Sequence, residues 1–191
     1  MLKPKQLATI VNRLQVPVIV SDILNGDAAL SADVQYGLHE VISELQPDSA
    51  LLCVALSAKK IASKFHDASP SMKILEMESA RIIEDYAELW LLNAEDREIN
   101  EVDALDAVSR SAEDLESMAE LLDLNMHSLK SINAEAWALC DILSVQSRAH
   151  ALIAEAYIET LESVLGAAPK MQTVIADKAL SDNVIQFPIK R

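Results

Sequence analysis

The stretch LLCVALSAKKIASKF, residues 51–65, decides the fold class. Its apolar residues recur in alternating steps of four and three, which places one stripe along an α-helix. Three later segments repeat this spacing. Such stripes predict four helices that pack nearly parallel or antiparallel to one another. The four stripes are Leu51, Ala55, Ala58, Ala62 and Phe65; Leu75, Ser79, Ile82, Tyr86 and Leu89; Leu105, Val108, Ala112, Leu115, Ala119 and Leu122; and Ala138, Ile142, Val145, Ala149, Leu152 and Ala156.

Glycine and proline are absent from Ser71 to Leu165, a run of 95 residues. Sheets need turns, and turns draw on these two residues, so the run predicts long helices joined by short polar links. Residues that favour helix starts precede each stripe, at Asp48, Ser69, Asn100 and Asn133. We therefore predict an all-α, antiparallel bundle of four long helices, at about 48–66, 70–92, 101–124 and 133–165. The last link is then LNMHSLKSIN, residues 124–133.

The two ends of the chain predict shorter elements that flank a bundle core at residues 48–166. Residues 1–47 are expected to pack on the bundle as a short helix ended by Pro17, an extended VPVIVSD segment and a helix capped by Ser31. Residues 167–191 are expected to form a further helix and an extended, partly apolar tail. That tail is expected to dock on the bundle or on a partner.

The net charge of −14 is concentrated in one part of the chain. Residues 74–125 hold sixteen acidic residues and three arginines, whereas the segments before and after this block are close to balanced. An acidic block repels nucleic acid and anionic lipid, because both are bound by neutralising phosphates with Lys and Arg. We therefore expect neither of these two partners.

The apolar runs and the cysteines indicate an ordinary cytoplasmic protein. No run approaches the roughly 20 apolar residues that a membrane-spanning helix needs. Cys53 and Cys140 lie in separate helix-like segments and are expected to be buried, reduced thiols.

The segment HSLKS, residues 127–131, carries the first candidate chemistry. It resembles the phosphoacceptor motif of histidine phosphotransfer domains, which are four-helix bundles. The resemblance implies that His127 accepts a phosphoryl group, that Lys130 lies beside the phosphate and that Ser131 leaves room for a response regulator. It covers about fifteen residues, and the chain lacks a glycine and several residues that usually follow the motif in that family. The alternative is that His127 is an ordinary polar residue at a helix end.

Two acidic pairs carry the second candidate chemistry. The segments EINE and ELLD contain Glu98 with Glu101 and Glu120 with Asp123. A spacing of three places both carboxylates of a pair on one helix face, and Mg²⁺ prefers such oxygen ligands. The pairs resemble those with which all-α nucleoside-triphosphate pyrophosphohydrolases hold Mg²⁺. The alternative is a solvated acidic helix face, since acidic residues are frequent in this block.

The remaining patterns carry no recognisable catalytic or cofactor site. No histidine is preceded by Glu at the spacing of di-iron bundles, and no glycine-rich phosphate loop is present. We therefore predict a non-enzymatic, cofactor-free regulatory bundle that binds another protein. Its partner is expected to have a basic or amphipathic surface, and the chain is expected to form a homodimer.

Overall fold

The computed structural model describes the backbone of residues 4–94 and 101–181 and the side chains of residues 15–87 and 105–164. Within those ranges the chain is all-α and forms a helical bundle, as predicted. The six helices are α1 (Pro4–Asn25), α2 (Ala32–Ser43), α3 (Pro47–Phe65), α4 (Pro70–Ala94), α5 (Glu101–Leu129) and α6 (Ala134–Ser181). The residues from 182 onward, on which the predicted extended tail falls, lie outside the described part.

Helix α3 lies at the centre of the molecule and contacts each of the other five helices. More than half of its 19 residues are buried, and most of these are small, such as Ala50, Ala55 and Ala58. Small side chains let neighbouring helices approach closely, so one helix can be surrounded by several others. The stripe predicted for residues 51–65 is buried except for the half-buried Phe65.

The N-terminal helix corrects one prediction. Pro17 does not end it, and the VPVIVSD segment is helical, because α1 continues from Pro4 to Asn25. An interior proline costs a helix about 3 kcal/mol. Here the helical conformation around Pro17 buries Val16, Val20 and Ile23 in the main core. The free energy gained by burying three such side chains outweighs the cost of the proline. Gly26, with φ of 81°, ends the helix in the left-handed conformation that glycine adopts readily.

The hydrophobic core is continuous from Val16 in α1 to Ala151 in α6. Helices α1 and α2 therefore share one core with the four long helices. The division of the chain at residues 47 and 166 stays a prediction.

Of the five predicted helix caps, three are confirmed and one is wrong, and the fifth, Asn100, lies outside the described residues. The backbone N–H groups of Val34, Met72 and Ala136 donate to the side chains of Ser31, Ser69 and Asn133, respectively. Asp48, in contrast, does not precede its helix. Helix α3 begins one residue earlier, at Pro47, because proline suits a first turn whose N–H has no partner.

The stripe predicted on α6 is wrong for four of its six residues. Val145, Ala149, Leu152 and Ala156 are exposed, whereas Ile142 is buried in the core and Ala138 is half-buried. The buried face instead carries Leu139, Leu143, Ser147, His150 and Ala154. Apolar spacing missed this face because it is interrupted by polar residues. Two polar residues of α6, His150 and the buried Gln146, have hydrogen-bond partners in the N-terminal half of the chain.

Two such partners join α6 to α2 and to the link after it. The Gln146 side-chain nitrogen lies 2.9 Å from Nδ1 of His39 in α2. The two ring nitrogens of His150 lie 2.9 Å from the carbonyl oxygen of Gln146 and 3.1 Å from that of Leu45. These contacts offset the cost of burying the Gln146 side-chain nitrogen and the His150 ring. The backbone of α6 also continues past Gly166 and Pro169, where a separate helix was predicted.

Helix α5 extends five residues beyond its predicted end, and buried Asn125 explains why. Its Oδ1 accepts from the hydroxyls of Ser69 (3.0 Å) and Ser71 (2.9 Å). Its Nδ2 donates to the carbonyls of Leu121 (2.8 Å) and Ser71 (3.3 Å). Asparagine often ends a helix, because its side chain competes for backbone hydrogen bonds. Here the side-chain amide makes all of its hydrogen bonds inside the bundle, and the helix continues to Leu129. The link between α5 and α6 shortens to residues 130–133.

In the described part of the chain, no helix combines the length and the apolar character needed to cross a membrane.

Candidate functional site

A shallow groove runs along the surface between α5 and α6. It is lined by Glu120, Asp123, Leu124 and His127 of α5 and by Arg148 of α6. We call these five residues the α5–α6 groove. The short link at residues 130–133 makes the two helices antiparallel neighbours, and Asn125 holds the last turns of α5 in place. The groove brings together residues of both predicted chemistries.

His127 is exposed in the last turn of α5 and lines the groove. The other two residues of the phosphoacceptor hypothesis do not line it with His127. Lys130 and Ser131 follow the end of the helix, in the link. The Lys130 Nζ lies 6.0 Å from the centre of the Trp137 ring, at the outer limit of a cation–π contact. The cation that shares the groove with His127 is instead Arg148.

Arg148 ties α6 to α5 through Asp123. Its guanidinium donates to the Asp123 carboxylate and, at 3.1 Å, to the hydroxyl of Ser144, which in turn donates to the same carboxylate. Partial burial raises the pKa of Asp123, but the hydrogen bonds from Ser144 and Arg148 and the charge of Arg148 lower it by more. The net result is a pKa below the ordinary value, so Asp123 is ionised at neutral pH and bound to Arg148.

This ion pair bears on the magnesium hypothesis. A carboxylate that already accepts from a guanidinium and a hydroxyl must give up those bonds before it can bind Mg²⁺. Glu120 is exposed in the same groove, whereas the side chains of Glu98 and Glu101 lie outside the described residues. Among the described side chains, no group of three or more His, Cys, Asp or Glu residues is arranged to hold a metal ion. The first acidic pair stays an untested prediction.

Sequence reasoning missed Arg148 and the apolar residues beside it. Leu124, Val145 and Leu152 have 59%, 48% and 66% of their surface exposed, and we call them the apolar strip. Val145 and Leu152 lie three residues before and four residues after Arg148, so all three occupy one side of α6. Val145 and Leu152 belong to the fourth apolar stripe of the sequence, but that stripe was interpreted as core.

Acidic residues surround the groove and the strip. Glu113 and Glu116 lie seven and four residues before Glu120, and hence on the same side of α5. On α6, Asp141, Glu155 and Glu159 lie on the side of Arg148. All five are exposed, and we call them the acidic flank.

Neither cysteine offers a nucleophile. Both are buried, and neither forms a disulfide bond. Burial, together with the nearby charges of Asp123 and Asp141, raises the pKa of the Cys140 thiol to about 12. Because the thiolate is the reactive form, Cys140 is inert at neutral pH.

Comparison with protein-family models, curated protein sequences and solved structures finds no match to this chain.

Proposed function

We propose that this chain is a non-enzymatic regulatory bundle that acts in the cytoplasm by binding another protein. The observation that supports this proposal most directly is the apolar strip. Its three large side chains are exposed although the same chain buries a continuous core elsewhere. Exposed apolar residues grouped within a polar rim are typical of a protein-binding surface.

The experiment is affinity capture of the tagged protein from its native lysate, quantified by mass spectrometry. Leu152→Asp places a charge in the apolar strip, and Met77→Asp is the matched control, because Met77 is a similarly exposed residue (71%) on α4. We expect the wild type and Met77→Asp to retain the same protein and Leu152→Asp to lose it. If the wild type retains no protein beyond the tag-only background, the proposal is wrong. Circular dichroism melting shows that each variant is folded.

A second candidate function is phosphotransfer through His127, which is supported by its exposure on a helix beside Arg148. An imidazole nitrogen would form a P–N bond as the P–O bond to a phosphorylated donor protein breaks. The guanidinium of Arg148 would then lie near the phosphoryl oxygens.

The test is incubation with phosphoramidate, followed by ³¹P NMR for phosphohistidine and a check that the signal is lost in acid. Signal from the wild type and His66→Ala but not from His127→Ala would support this function. His66 is a suitable control because it is also exposed. Equal labelling of His127→Ala, or no labelling of the wild type, would rule it out.

A further inference from the structure

We propose that the α5–α6 groove binds an amphipathic, cationic α-helix of a partner protein. This inference rests on the proposed function and adds the binding surface and the chemistry of the partner.

The shape of the surface fits a third helix. A furrow between two antiparallel helices is a common seat for an amphipathic helix, whose apolar residues recur every three to four positions. Val145 and Leu152 are seven residues apart, which is two helical turns or about 10 Å. Apolar residues at positions i and i+7 of a partner helix have the same separation. From Glu113 to His127 the surface extends about 21 Å, the length of a helix of about 14 residues.

The charges around the groove specify a cationic helix. Glu120 and the five acidic-flank residues are exposed on α5 and α6, in line with the residues of the apolar strip. The one arginine that lines the groove is already bound to Asp123 through its guanidinium, so it offsets little of this negative charge. Lysine or arginine side chains along the edges of a bound helix would lie opposite the flank, while its apolar residues cover the strip.

The same charges argue against a second copy of the chain at this surface. A symmetric dimer formed through the groove would place the acidic flank of one copy against that of the other, and like charges in close contact are destabilising. The homodimer expected from the sequence would therefore need a different surface.

The probe is a synthetic 14-residue helix with leucines at i, i+3, i+4, i+7 and i+11, and lysines at the remaining edge positions. A second peptide replaces each lysine by glutamate and keeps the leucines. Binding to the full-length protein is measured by isothermal titration calorimetry at two salt concentrations. Two substituted proteins are compared with the wild type: the triple groove variant Glu116→Gln/Glu120→Gln/Glu155→Gln and the triple control Glu40→Gln/Glu44→Gln/Glu84→Gln. Both triple variants remove three exposed charges, so they change the net charge equally.

We expect the lysine peptide to bind the wild type, and its affinity to fall with salt. The groove variant should weaken binding about tenfold or more, and the control variant should weaken it less than threefold. Leu152→Asp should weaken binding by a similar factor to the groove variant, since it removes an apolar anchor. The glutamate peptide should not bind.

Two results would overturn the inference. The first is equal weakening by the groove and control variants, which would mean that the peptide responds only to net charge. The second is a concentration-dependent dimer, seen by sedimentation, that Leu152→Asp dissociates, because a second copy would then occupy the groove. If the Leu152→Asp variant still retains the partner in the lysate experiment, the proposed function holds, but the partner binds at a surface other than the α5–α6 groove. If no partner is retained at all, the proposed function itself fails.

Discussion

At the scale of single residues, two glycines show how local backbone conformation decides the effect of the same substitution. Gly37 lies inside α2, and a Cβ added there would have no neighbour within 4 Å, whereas Gly26 has φ of +81°. Glycine in a helix costs about 0.5–1 kcal/mol relative to alanine, because its unfolded state is more flexible. We expect Gly37→Ala to raise the free energy of unfolding by about that amount. Gly26→Ala should lower it, and urea denaturation of both variants checks the pair.

Asn125 gives the second prediction at this scale. It makes four hydrogen bonds within the protein, and its side chain is fully buried. Replacing it by leucine leaves the Leu121 carbonyl and two serine hydroxyls without this partner, so we expect a loss of about 1–3 kcal/mol in unfolding free energy. Asn125→Asp keeps the shape but puts an acceptor where Nδ2 donates, and should cost at least as much. A cost under about 0.5 kcal/mol in both variants would contradict the assigned hydrogen bonds.

At the scale of elements, the register of α6 can be tested by two leucine substitutions. Leu143 is almost completely buried, and Leu152 is mostly exposed. Leu143→Ala should cost about 2–5 kcal/mol, the range for truncating a core leucine, and Leu152→Ala less than about 0.5 kcal/mol. Urea denaturation gives both values. A larger cost for Leu152→Ala than for Leu143→Ala would mean that α6 buries the face predicted from apolar spacing.

The contact between α5 and α6 at Asp123 predicts a pH dependence. Because the folded-state pKa of Asp123 is lowered from its ordinary value of 3.8, its carboxylate stabilises the fold above that pH, and this contribution is lost as the pH falls through the lower folded pKa. The pair is partly exposed, so solvent screening limits its contribution to about 0.5–1 kcal/mol. Asp123→Asn should therefore lose about that much stability at pH 7 and nothing measurable near pH 2.

The control for that prediction is Asp106→Asn, at an exposed position of the same helix. Its effect at pH 7 should be smaller than that of Asp123→Asn. Thermal unfolding of the wild type, Asp123→Asn and Asp106→Asn between pH 2 and pH 7 makes the comparison. A deficit of Asp123→Asn that persists at pH 2 would show that the lost stability comes from packing and not from the ionised carboxylate.

The sequence predicted elements well where local signals agreed with burial, and poorly where distant contacts decided. The caps at Ser31, Ser69 and Asn133 and the stripe of α3 needed only local chemistry and spacing. The continuation of α1 through Pro17 and of α5 through Asn125 depends on core contacts and hydrogen bonds that link distant parts of the chain. No local pattern contains that information.

At the scale of the whole molecule, the candidate site follows from the face that α6 buries. Gln146 and His150 turn inward to contact α2 and the link after it, and this leaves Val145 and Leu152 at the surface. The sequence located His127, Glu120 and Asp123 but assigned them to two different chemistries. Their meeting with Arg148 in one groove depends on the pairing of α5 with α6, which only the three-dimensional arrangement provides.

The measurement that tests the central claim most directly is a ¹⁵N chemical-shift titration of the full chain with the lysine-and-leucine helix. Shifts should concentrate at residues 113–127 of α5 and 141–159 of α6, with small changes at Glu40, Glu44 and Glu84. They should also disappear in Leu152→Asp. Shifts spread evenly over exposed acidic residues in every helix, unchanged by Leu152→Asp, would contradict a helix-binding groove.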